Sequence, residues 1–160
     1  MLLKPFHQFV GHRSASGFTL IELMVTLSIA AVLAAIAVPS FRDFLAGQRV
    51  KTAAYDISYT LANVRSEALK RNANVVMAPA SGGWQNGWTV TATGGAVVSG
   101  HEAFSGLTVT GPTSVTYNIS GRVTSADNSF AVSSSVSTNA TPRCVRIDLS
   151  GLSTSKAGAC

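Results

Sequence analysis

This 160-residue chain is short of charge: 12% of its residues are Asp, Glu, Lys or Arg, and only seven are acids. Histidines number three and cysteines two, and they lie far apart, which argues against a structural or catalytic metal centre. There is no Gly-x-Ser-x-Gly elbow, no phosphate-cradling glycine loop and no metal-spaced His/Cys cluster. The one histidine beyond the first 17 residues, His101, stands beside Glu102 in a Gly/Ser-rich stretch, and such a lone pair reads as a solvated turn. With these absences we expect no catalysis, no cofactor and no metal. The net charge of +5 is a modest excess, weak evidence by itself for a nucleic-acid partner.

What is present is a long apolar run. From Phe18 to Val38 only Thr19, Glu22, Thr26 and Ser28 are polar. As a helix this stretch spans about 30 Å, the thickness of a hydrocarbon core. The hydroxyl residues can bond back to the helix backbone, which leaves Glu22 as the outlier. A carboxylate inside a membrane span costs roughly 2.5 to 3.5 kcal/mol and by default marks a function, unless headgroups at the interface solvate it. Ahead of it, residues 1–17 hold Lys4, His7, His12 and Arg13 and no acid, like the basic front of an export signal. Ala30, Ala31, Ala34, Ala35 and Ala37 offer sites for ordinary signal cleavage, but the apolar run is longer than a signal core. Arg42, Arg49 and Lys51 follow closely, so charge counting does not fix the orientation.

Gly17-Phe18-Thr19-Leu20-Ile21-Glu22-Leu23 resembles the class III signal of type IV prepilins and type II secretion pseudopilins. The resemblance implies that a prepilin peptidase cuts between Gly17 and Phe18 on the cytoplasmic side, methylates the new Phe18 amine and leaves the apolar segment in place. Glycine suits that cut because it enters a protease site without a side-chain clash. In a filament, Glu22 would pair with the Phe18 amine of a neighbouring subunit, each charge relieving the other's desolvation. The head would lie in the periplasm, anchored by a single pass in the inner membrane. Partners implied are the peptidase, other major or minor pilins, and lipid before assembly.

Beyond Pro39, Ala54, Ile57, Leu61, Val64 and Ala68 recur at helical spacing opposite a charged face, and Asn72 to Asn74 ends the pattern. Glu67 and Arg71, four apart, form an exposed pair. The composition then turns to Gly, Ser, Thr, Val and Asn, with candidate strands at Val75–Ala78, Trp88–Thr93, Thr108–Val109, Val115–Ile119, Ser129–Val136 and Arg143–Leu149. Turns are expected at 81–83, 86–87, 94–95, 111–112, 120–121, 127–128 and 139–142. Trp84 and Trp88 read as core anchors. The expected fold class is α+β, a long amino-terminal helix packed on a carboxy-terminal antiparallel sheet: leader 1–17, filament-core helix 18–39, amphipathic continuation 40–72 and β-rich head 73–160. Cys144 and Cys160, in an exported chain, read as one disulfide.

Val64-Arg65-Ser66-Glu67-Ala68-Leu69-Lys70-Arg71-Asn72, Gly83-Trp84-Gln85-Asn86-Gly87-Trp88 and Ile119-Ser120-Gly121-Arg122 resemble the GspH/FimT family, which includes the FimU minor pilins. That resemblance implies a structural subunit for assembling or initiating a type IV pilus, or a GspH-like pseudopilin of type II secretion. A membrane-anchored protein that never polymerises is a weaker reading. Some FimT-like minor pilins capture DNA for transformation through a Gly-Arg-x-Arg motif. The equivalent here, Gly151-Leu152-Ser153-Thr154, keeps the glycine and neither arginine. The remaining candidates for DNA contact are Arg122, Arg143, Arg146 and Lys156, with Asp148 offsetting one of them.

Overall fold

A computed structural model describes residues 17–124 and 128–160. The expected leader, but for Gly17, and Asp127 of the expected 127–128 turn lie outside the described residues. The chain divides into two compact units, Met1–Val38 and Pro39–Cys160.

In the first unit the described part is almost wholly helical. Helix α1, Leu20–Arg71, begins there, and Leu20 to Val38 are exposed throughout. This portion is long and apolar enough to cross a membrane. Its hydroxyls bond back to the backbone: Thr26 Oγ1 donates to the Leu23 carbonyl at 2.9 Å and Ser28 Oγ to that of Met24 at 2.8 Å.

In the second unit α1 buries Ala46, Val50, Ala53, Ala54, Ile57, Leu61, Val64 and Ala68, the expected stripe extended toward its start. The helix closes in a Schellman arrangement: the Ala73 amide donates to Ala68 and that of Asn72 to Leu69, with Asn72 in the left-handed region at φ 48°. The charged face holds Glu67 between Arg71, at 2.7 Å, and Lys70, at 3.4 Å. These hydrogen bonds, Arg71 first, keep the Glu67 carboxyl below its ordinary range. Solvent screens exposed pairs of this kind, so they add little to stability.

Among the described residues eight antiparallel strands follow: β1 (Val75–Pro79), β2 (Trp88–Ala92), β3 (Val97–His101), β4 (Leu107–Thr110), β5 (Val115–Tyr117), β6 (Ser129–Ser134), β7 (Arg143–Ile147) and β8 (Ser153–Ala157). They form two four-stranded sheets, ordered β3-β2-β1-β5 and β4-β6-β7-β8. Register follows alternation. Val75 and Met77 lie opposite Ala92 and Val90 on one side and Tyr117 and Val115 on the other, and all six are buried. Phe130 opposes Val145 in the second sheet, and both join the α1 stripe in one core.

Two strands, β3 and β8, were not expected. Both are sheet edges with largely exposed side chains, so neither needs the apolar alternation that marks a strand. Conversely, Ile119 and Leu149 fall outside their expected strands, exposed in the turns beyond β5 and β7. Trp84 and Trp88 are buried as expected. The loop between them is a 3-10 turn, Trp84–Asn86, closed by Gly87 at φ 93°, where a side chain would collide with the His101 carbonyl. Trp84 Nε1 donates to the Pro112 carbonyl at 2.7 Å, and its ring meets Phe130 edge-on at 4.8 Å. His101 departs from the solvated-turn expectation. Its ring stacks on Trp88 at 4.4 Å and lies 4.6 Å from Phe104, with Nε2 3.7 Å from the Asp56 carboxylate of α1. The neighbouring aromatics give an imidazole a dry face to cover, which sequence spacing does not reveal.

Candidate functional site

At the start of α1, local chemistry gives the stray carboxylate a place. Thr19 precedes the first helical residue, and its hydroxyl accepts from the Glu22 amide at 3.3 Å. In return Glu22 Oε2 lies 3.4 Å from both the Thr19 amide and the Thr19 hydroxyl, which donate to it. This is a reciprocal capping box, with the Thr19 carbonyl already accepting from the Leu23 amide at 3.2 Å. The signal was present in the Thr-x-x-Glu spacing ahead of an apolar run. Gly17 and Phe18 precede the cap in the open, and a Cβ placed on Gly17 would meet nothing within 4 Å. The arrangement is a short accessible segment, a capped helix start and then an exposed apolar helical surface.

The basic residues do not form one cluster. Arg143 lies on β7 in register with buried Val132, and its guanidinium sits 5.7 Å from the Tyr55 ring of α1, while Nε donates to Ser155 Oγ at 3.2 Å. Arg146 and Lys156 belong to the opposite face of β7 and β8. There, with Thr154 and both cysteines, they line a recess of about 210 Å³. Arg122 stands apart in the turn after β5, where Asn118 Oδ1 accepts from its amide at 3.0 Å. Cys144 and Cys160 are joined by a disulfide, tying the chain end that follows β8 back to β7.

A second polar contact reaches across the head. Asp43 of α1 accepts from Ser137 Oγ at 2.6 Å and from Asn139 Nδ2 at 2.8 Å, fastening the β6–β7 loop to the helix. Those bonds, Ser137 first, hold its carboxyl below the usual range. Among the described residues no group of three or more His, Cys, Asp or Glu could hold a metal ion.

The family of type II transport protein GspH matches residues 53–151, well over half of the chain. The chain belongs to the GspH family. The prokaryotic N-terminal methylation motif matches residues 12–38, which include the capping box. This GspH-family chain is similar to a fimbrial protein of Pseudomonas aeruginosa, 44% identical over 46 residues, covering 29% of this chain and 30% of that protein. It is also similar to one from Moraxella nonliquefaciens, 41% identical over 56 residues, 35% of this chain and 33% of that one. The chain thus spans about a third of the length of the curated relatives it matches. Its fold is that of the type IV minor pilin FimU of Pseudomonas aeruginosa: TM-score 0.58 at 22% identity, covering 69% of this chain and 92% of that one, and 0.55 in a second crystal form.

Proposed function

We propose that this GspH-family chain is a minor pilin or pseudopilin, a structural subunit of a type IV pilus or of a type II secretion pseudopilus. The observation that carries the reading is an exposed apolar helix, Leu20–Val38, headed by one carboxylate and preceded by the open Gly17-Phe18 bond. A prepilin peptidase cuts that bond and methylates the Phe18 amine. Before assembly the helix rests in the inner membrane with the head in the periplasm. On assembly it packs against the helices of other pilins, and Glu22 pairs with the Phe18 amine of a neighbour, setting the axial register.

Glu22→Ala tests this. Membrane insertion and cleavage should persist, while incorporation into sheared filaments falls at least about tenfold, because an unpaired buried ammonium costs several kcal/mol. Normal incorporation of that variant would sink the assignment. Deleting the gene separates the two machines: loss of surface filaments marks a pilus, and retention of exported enzymes in the periplasm marks a secretion system.

A second reading, DNA capture, is supported by Arg146 and Lys156 sharing one face beside a recess with no acid in its lining. Two phosphate contacts would give binding that weakens with salt at a slope near −0.9 per contact. In a mobility shift at low salt, neutralising Arg146 and Lys156 should abolish the shift. A shift that survives this change, or none for the unaltered chain, counts against the reading.

A further inference from the structure

The partners of His101 decide which of its ring nitrogens carries a proton. Nδ1 lies 2.7 Å from the Glu102 carbonyl, and a carbonyl only accepts, so Nδ1 donates. In the neutral ring Nε2 is then a bare acceptor. The atom 3.7 Å from it is an oxygen of the Asp56 carboxylate on α1, which is an acceptor too. Two acceptors make no bond, and a water donating to both needs them farther apart. A ring protonated at both nitrogens instead donates to the Glu102 carbonyl and to Asp56 at once. The two side chains are 31% and 38% exposed, so the proton exchanges directly with solvent.

The rest of the surroundings favour the charged ring as well. Trp88 of β2 stacks on it with centroids 4.4 Å and planes 20° apart, and Phe104 lies at 4.6 Å, so a cation here meets two aromatic rings. Charged neighbours are few. From α1 come Asp56 and Arg49, which with His101 and Phe104 line a recess of about 460 Å³ between the helix and the β3–β4 connection. That connection brings Glu102, and neither β2 nor β4 carries a titratable side chain. Arg49 opposes an imidazolium, but it is seven residues from Asp56, about 10 Å along the helix, whereas the carboxylate stands within ion-pair reach of Nε2.

We propose that His101 and Asp56 form an acid-closed clasp between the β3–β4 connection and α1. With the imidazole protonated the connection is fastened to the helix, and with it neutral the fastening is released and the recess is free to widen. The protonated form makes the bond, so its contribution to stability is present in mild acid and fades as pH rises through the range in which imidazoles titrate, about pH 5 to 8. The clasp lies within the head and does not depend on assembly into a filament.

The test uses the full chain in detergent micelles, with a chelator present so that no metal stands in for the proton. A protonated imidazole stacked on an indole quenches its emission, so tryptophan fluorescence should fall as pH is lowered from about 8 to about 5. His101→Gln should lack that fall. In urea, Asp56→Asn should raise the unfolding equilibrium constant at least about threefold at the acid end and leave it unchanged at the alkaline end. In a His101→Gln background the same change should have one effect at both ends. Asp56→Ser repeats the comparison, and circular dichroism should show that each variant folds. Emission that does not change with pH, a fall that survives His101→Gln, or an Asp56→Asn effect of equal size at both ends overturns the proposal.

Discussion

Tyr117 ties a buried ring to the backbone of a turn 34 residues away, donating to the Gly151 carbonyl, and that position alters its acidity. Burial, with a smaller push from Asp148 against a pull from Arg65, raises its phenol from 10.0 to about 12. The folded value lies above the unfolded one, so this contribution to stability is complete below pH 10.0 and is lost as pH rises toward about 12. Denaturant unfolding followed from about pH 9 upward should show stability falling across that window, and Tyr117→Phe should remove that component of the slope. Equal slopes for the two chains would show that Tyr117 ionises as freely folded as unfolded. Individual residues were unevenly legible in the sequence. Glu22 stood out because a carboxylate in an apolar run violates a strong rule, and Trp84 and Trp88 because large rings seek the core. His101 and Arg143 did not, because what defines them, a stack on Trp88 and a contact with Tyr55, joins residues far apart in the chain.

At the scale of elements, legibility tracked burial. The α1 stripe and the central strands announce themselves because one face must be apolar, whereas β8, Ser-Thr-Ser-Lys-Ala at a sheet edge, carries no such pattern. That strand depends on its partner and on the Cys144–Cys160 bond to stay in place. Replacing both cysteines with Ser should cost about 3 kcal/mol in the chain-entropy account, read as a lower denaturation midpoint. Amide exchange should quicken first in β8. Uniform acceleration across both sheets would mean that the bond restrains the whole head rather than its edge.

For the whole molecule, the sequence placed an exposed apolar helix ahead of a separate β-rich head, and it did so because the two parts obey different solvents. It could not supply the contact between the turns 118–122 and 148–152, since no local pattern says that Gly121 and Gly151 will touch. On the proposed reading, in which the chain passes from lipid into a filament, the capping box has a further meaning. Glu22 is never required to stand bare. In the structure it holds the donors of Thr19, and in the proposed filament it would take up the amine of a neighbour. On the proposed reading, entry into the filament exchanges the neutral donors of Thr19 for a neighbour's ammonium, and a subunit returning to the membrane would recover the Thr19 donors.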